Sequence, residues 1–149
     1  MESEFINILL ADDDQDDCSF FKDALDELPI AAKLATVHDG EQLMFYLTQT
    51  TSNLPDVLFL DLNMPRKNGF ECLSQIKRNK TIAHLPVIIF STTDDQQTIN
   101  LLYYNGAQFY IRKPSNFSEL KKIIQRALMR VGKKNILPAA MENFVINSN

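Results

Sequence analysis

The sequence predicts an α/β protein: a doubly wound, five-stranded parallel sheet with helices on both faces. Five short apolar runs rich in β-formers lie near residues 5–11, 32–37, 56–60, 86–91 and 108–111. Between them, apolar residues recur at helical spacing, and that alternation calls for a parallel sheet covered on both faces. With 149 residues and 45% hydrophobic content, the chain suffices for one well-packed core and is short for two.

The elements follow in order. A first helix is predicted over about 15–28, with Phe21, Ala24, Leu25 and Leu28 on one stripe, Asp16 and Asp17 in its first turn, and Pro29 to end it. Asn68-Gly69 makes a turn into a helix of about 70–79, and Asn105-Gly106 closes one of about 94–104. The clearest helix covers about 116–131, where Leu120, Ile123, Ile124, Ala127, Leu128 and Val131 keep helical period. Residues 1–131 therefore read as one domain and 132–149 as a C-terminal tail without a separate output domain. The tail's Ile136, Leu137, Met141, Phe144, Val145 and Ile146 suit docking on the domain or on a second copy, a homodimer.

Composition excludes several classes. The longest apolar runs, such as Ile8–Ala11 and Leu85–Phe90, fall far below the roughly 18 residues of a membrane span. The N-terminus is acidic where a secretory signal is basic, so a cytoplasmic location is expected. Cys18 and Cys72 lack metal-ligand spacing and read as buried thiols. A formal charge of −4 disfavours nucleic acid, although Arg112–Lys134 holds eight basic residues against one acid. Lys121, Lys122, Arg126 and Arg130 fall between the apolar positions of the last helix, so a solvated face accounts for them. His38 and His84 have no neighbouring nucleophile or ligand pattern and read as surface or loop residues.

In an open parallel sheet, ligands bind beyond the carboxyl ends of the strands. Strand one exits into Asp12-Asp13-Asp14, strand three into Asp61-Leu62-Asn63, strand four into Ser91-Thr92-Thr93, and strand five into Arg112-Lys113-Pro114. Taken singly, these are ordinary cap and turn residues. Together they place carboxylates, hydroxyls and an ammonium at one sheet edge. Carboxylates held this close stay ionised cheaply only around a cation, and Mg²⁺ suits such hard oxygen donors. Asp14 reads as the start of the first helix.

Asp12-Asp13, the segment Asp61-Leu62-Asn63-Met64-Pro65 with Gly69, Ser91, and Lys113-Pro114 resemble the CheY-like response regulator receivers of flavodoxin-like fold, over about residues 5–131. The Asp-Asp-Asp-Gln-Asp-Asp opening also resembles stand-alone receivers that partner phytochrome-type histidine kinases. The resemblance implies two-component signalling without enzymatic turnover of a separate substrate. Asp61 would be the phosphoacceptor, fed by a sensor histidine kinase or a phosphotransfer protein. Asp12, Asp13, Asp61 and the Asn63 backbone carbonyl would hold Mg²⁺, with Mn²⁺ as a substitute. Lys113 and the Ser91 hydroxyl would read the phosphoryl group, and Tyr110 would be an aromatic switch signalling to a downstream protein. Thr92 and Thr93 leave the hydroxyl's register open by one residue, and counting from Pro86 favours Ser91. A plain strand-five core aromatic is the alternative for Tyr110.

Three rivals compete. An aspartyl-phosphate hydrolase of the haloacid dehalogenase type needs its nucleophile after strand one and a cap domain. A flavodoxin-like cofactor binder needs a phosphate loop where this chain has three aspartates. A non-phosphorylated receiver-like scaffold would have no use for the full set of pocket groups.

Overall fold

Residues 5–49, 53–132 and 140–147 are described by a computed structural model of the chain. Six strands, β1 (Ile6–Ala11), β2 (Ala32–Val37), β3 (Val57–Leu60), β4 (Val87–Ser91), β5 (Phe109–Arg112) and β6 (Val145–Ile146), form one sheet in the order β2-β1-β3-β4-β5-β6. All pairs are parallel. The helices are α1 (Gln15–Asp26), α2 (Gly40–Gln49), α3 (Gly69–Arg78), α4 (Gln96–Tyr104) and α5 (Phe117–Val131).

Side chains along each strand alternate between two separate cores. Leu9, Ala11, Leu58, Leu60, Val87, Ile89 and Tyr110 meet α2, α3 and α4 on one face. Ile8, Leu10, Val57, Phe59, Ile88, Phe90, Phe109 and Ile111 meet α1 and α5 on the other. Because both faces are buried, β3 and β4 carry no exposed residue at all, which is why they read as continuous apolar runs. On the α1 side, the rings of Phe21, Phe59 and Phe90 pack edge to face, with centroids 5.0 to 6.3 Å apart.

Helix starts are set by side-chain caps. Asp14 accepts from the N–H groups of Asp16 and Asp17 at 2.9 and 3.1 Å, the helix-start role expected of it. Asn68 and Glu71 form a reciprocal capping box on α3. Asp95 and Asn116 cap α4 and α5.

The expected five strands become six. After a 3₁₀ turn over Met141–Asn143, the chain lays β6 along β5, with the Tyr110 N–H donating to the Phe144 carbonyl at 3.0 Å. Phe144 enters the core on the α4 side and Ile146 the core on the α5 side. Ile136 and Leu137, two of the tail's apolar residues, lie outside the described residues. The basic face of α5 also departs from a merely solvated one. Arg126 donates to the Asn147 carbonyl at 2.8 Å, and Arg130 to the Asn143 carbonyl at 3.4 Å, so two of its cations hold this segment in place.

Since Phe144 is 0% exposed, Phe144→Ala is expected to cost about 3–5 kcal/mol in urea denaturation. Glu142→Ala, at an exposed position beside it, is expected to stay within about 0.5 kcal/mol. Equal midpoints for the two variants would show that the segment adds nothing to the core.

Candidate functional site

The sheet order reverses between β1 and β3, and their carboxyl ends open into a crevice there. Asp12 follows β1 and Asp61 follows β3. Both are nearly inaccessible, at 0% and 6% exposed. Backbone bonds fix the two strand ends: the Asp61 N–H donates to the Ala11 carbonyl at 2.9 Å, and the Asp12 N–H to the Val37 carbonyl at 3.0 Å. Gly69 permits this packing, because a Cβ there would collide with the Asp61 backbone.

Lys113 enters from the end of β5. Its ammonium lies 2.8 Å from Asp12 Oδ2, 2.8 Å from Asp17 Oδ2 and 3.7 Å from Asp61 Oδ2, and 5.4 Å above the Phe90 ring. Burial alone would lower the lysine's pKa. The hydrogen bonds that Lys113 donates to Asp12 and Asp17, together with the charges of Asp61 and Asp12, outweigh burial and raise the pKa above the ordinary range. On Asp61, burial acts in the opposite direction. Burial pushes its carboxyl up to about 6, with Lys113 opposing and Asp12 adding to the rise, while the N–H groups of Asn63 and Leu62 donate to the carboxylate and favour its charged form.

Carboxylate oxygens of Asp12, Asp13 and Asp61 lie within 4.8 Å of one another. Two of these acids are buried and Asp13 is exposed, so the trio forms a hard-oxygen cradle with an open side. That chemistry fits Mg²⁺, which keeps several waters and takes one or two carboxylates. The expected residues Asp12, Asp13, Asp61 and Lys113 are thus brought together, with Asn63 attached to the cluster through its N–H.

Ser91 is fully buried at the end of β4, its carbonyl accepting from the Lys113 N–H at 2.8 Å and its hydroxyl from the Thr93 N–H at 3.3 Å. Tyr110 is also fully buried, its hydroxyl near Ser91 and donating to the Thr93 carbonyl at 2.6 Å. Its ring belongs to the core, as the plain-aromatic alternative has it, yet its polar end reaches the loop that carries the candidate hydroxyl.

Three contacts escaped the sequence reading. Asp17 was visible there only as a first-turn acid, although a helix start brings it back over Asp12. His38, assigned no role, sets its Nδ1 3.2 Å from the Asp12 carbonyl. Arg66, in the loop after Asp61, holds a left-handed φ of 68° and pairs with the buried Asp39 at 3.5 Å. Nothing in the residue types around Arg66 signals that loop conformation. The thiols behave as expected of buried cysteines: burial, reinforced by Asp12 and Asp17, pushes Cys18 up to about 11.

The raised pKa of Asp61 has a consequence for stability. A carboxyl whose folded pKa is raised contributes stability that is complete below its unfolded pKa, near 3.8, and lost as pH rises through about 6. In cation-free buffer, Asp61→Asn is therefore expected to exceed wild-type stability at pH 7.5 by roughly 1–3 kcal/mol, with the gap closing toward pH 4. Urea midpoints across that range check it; a gap that widens on acidification contradicts the assignment.

Comparison with known proteins agrees with this geometry. The family model of the response regulator receiver domain matches residues 8–125. Response regulator Rcp1 of Synechocystis sp. is 30% identical over 122 residues, which cover 79% of this chain and 83% of that protein. The phosphorylated cyanobacterial phytochrome response regulator RcpA superposes with a TM-score of 0.79 at 32% identity, over 91% of this chain and 99% of that one. The Mn²⁺-bound form of Rcp1 gives 0.75 at 27% identity, over the same shares of the two chains. An acidic trio and a lysine at the switch point of such a sheet, in a chain matched by that model over most of its length, make this protein a member of the response regulator receiver family of two-component signal transduction.

Proposed function

We propose that Asp61 is the phosphoacceptor and that its donor is a phosphohistidine on a partner histidine kinase of the phytochrome type, or on a phosphotransfer protein. The observation that carries this reading is the convergence of Asp12, Asp13 and Lys113 on the Asp61 carboxylate at the switch point. Receivers of this family accept phosphoryl groups from histidine kinases and bind Mg²⁺ in an acidic pocket. The likeness to RcpA and Rcp1 supports the phytochrome-type donor.

In the transfer, an Asp61 oxygen attacks phosphorus in line, the histidine N–P bond breaks, and the imidazole leaves with its electron pair and takes a proton. The reaction asks for alignment and charge neutralisation more than for covalent help. Mg²⁺, for which Mn²⁺ would substitute, supplies charge neutralisation at the phosphoryl oxygens when held by Asp12, Asp13, Asp61 and the Asn63 carbonyl. Lys113 neutralises a second oxygen. The Ser91 hydroxyl turns from the Thr93 N–H to donate to a third. That turn changes the surroundings of the Tyr110 hydroxyl, which rests on the same loop, and Tyr110 thereby relays the state of Asp61 to the surface read by a downstream protein. The protein acts as a phosphoacceptor that takes part in its own phosphorylation and dephosphorylation.

Incubation with acetyl phosphate and Mg²⁺, read by intact mass, is expected to add one phosphoryl group to wild type and none to Asp61→Asn or to wild type in chelator. A wild type unchanged by acetyl phosphate and by a phosphorylated histidine kinase would leave the scaffold reading in its place. Asp13→Asn is expected to weaken Mg²⁺ binding about tenfold or more, equivalent to about 1.4 kcal/mol, in a titration followed by thermal shift. Unchanged affinity would remove Asp13 from the cation site.

A further inference from the structure

Lys113 is shared among three carboxylates, and one of them has no part in the reaction described above. Among the described residues its ion-pair partners are Asp12, Asp61 and Asp17. Asp12 and Asp61 belong to the trio able to hold a cation, whereas Asp17 does not. Asp17 stands in the first turn of α1, its backbone N–H fixed to the Asp14 side chain at 3.1 Å, its carboxylate 39% exposed at the rim of the crevice. The helix N-terminus favours its charge. A cation bound by Asp12 and Asp61 draws on both their charges, and Asp17 then remains as the undiluted counter-ion of the ammonium.

We propose that Asp17 is a positioning residue that provides Lys113 with a second seat, 2.8 Å away at the crevice rim, so that the ammonium must weaken that contact to neutralise a phosphoryl group on Asp61. The inference rests on the reading of Asp61 as phosphoacceptor. In the present geometry the ammonium is nearer to Asp17 than to Asp61, by 2.8 against 3.7 Å. A charge pair at a partly open rim is weak enough to exchange and strong enough to bias the lysine's position. Asp17 therefore acts as a competitor that lowers the hold of the pocket on its phosphoryl group. A plain helix-dipole role would leave Lys113 untouched. Asp16 provides the comparison, because it sits in the same turn with the same charge and is not among the ion-pair partners of Lys113.

The test uses the full chain with Mg²⁺ and beryllium trifluoride as the phosphoryl mimic, in wild type, Asp17→Asn, Asp17→Glu and Asp16→Asn. Removing the competing charge is expected to tighten mimic binding by roughly threefold to tenfold in Asp17→Asn and to slow loss of the phosphoryl group by a similar factor. Asp16→Asn should match wild type, and Asp17→Glu should return most of the way to it. In the absence of mimic, the ¹⁵N resonance of the Lys113 ammonium should move in Asp17→Asn and hold in Asp16→Asn. Matching behaviour of the two Asn variants, or weaker mimic binding in Asp17→Asn, overturns the proposal while leaving Asp61 as the acceptor. A wild type that takes neither mimic nor phosphoryl group overturns both readings together.

Discussion

The contact of the Lys113 ammonium with Asp12 binds the two ends of the site across 101 residues of sequence. Without it, Asp12 and Asp61 would be two carboxylates pressed together at the closed end of a crevice. Each is nearly inaccessible, and the nearest compensation would be backbone N–H groups: Asp14 N–H on Asp12 Oδ1 at 3.0 Å, and those of Leu62 and Asn63 on Asp61. Those dipoles soften the repulsion but leave the charge in place. The lysine removes part of it, and in doing so joins the end of β5 to the ends of β1 and β3. Its backbone N–H, bonded to the Ser91 carbonyl, extends the connection to β4. A sheet built for its apolar faces is thus tied at one edge by a single cation. The tie is incomplete, because Asp61 still carries a raised pKa. A divalent cation held there would relieve that residual frustration.

Most of this architecture is legible in the amino-acid order because it rests on local rules. Strands covered on both faces must be apolar at successive positions, so β3 and β4 announce themselves. Asp14, Asn68 and Asn116 sit at helix starts because their side chains complete the free N–H groups there, and each stands at the position its type predicts. The acid pair, Asp61 and Lys113 are legible because each directly follows a strand, and in a parallel topology the carboxyl ends of the strands open on one edge. Asp17 is not legible in that way. It leaves no strand, and its meaning depends on where the first turn of α1 points after the Asp12-Asp13-Asp14 corner. The strand β6 was hidden for a different reason. Two residues are too few to show a period, and their pairing is decided by Phe144 and Ile146 dropping into cores on opposite faces, which is tertiary information. The same holds for Arg126 and Arg130, whose spacing on α5 fits a solvated face as well as it fits two carbonyl donors.

That extra strand changes what Tyr110 can be. The tyrosine lies on β5, which β6 covers, so its backbone N–H is held by the Phe144 carbonyl and its ring lies 6.3 Å from the Phe144 ring. Phe144 in turn packs edge to face on Tyr103 of α4. At its other end, the Tyr110 hydroxyl rests on the Thr93 carbonyl in the loop between β4 and α4. One side chain therefore touches the loop of the candidate phosphate reader and the segment that closes the sheet. Interiors packed at this density shift between discrete arrangements more readily than they deform. Any rearrangement of the β4–α4 loop that takes away the Thr93 carbonyl leaves a buried hydroxyl to be satisfied elsewhere. The ring cannot answer by turning outward freely while Phe144 lies against it.

Charge bookkeeping at the crevice explains why the lysine's position matters beyond holding strands together. In the proposed function, phosphorylation of Asp61 would replace a single carboxylate charge with a phosphoryl group that carries up to two and extends further into the crevice. The pocket would then need positive charge at a new place, and among the described residues the Lys113 ammonium is the ion-pair partner of Asp61. A divalent cation, where one binds, would be held by the Asp12–Asp13–Asp61 trio. Lys113 would therefore be the adjustable partner, and the distance it would cover is set by its present contacts. Asp12 keeps it at the floor of the crevice and Asp17 draws it toward the rim. An ammonium has three N–H donors, so it can keep Asp12 while exchanging one carboxylate for a phosphoryl oxygen. The acid it can release with least loss is the most solvated one, because water takes over the hydrogen bonds of a rim carboxylate but not those of a buried one.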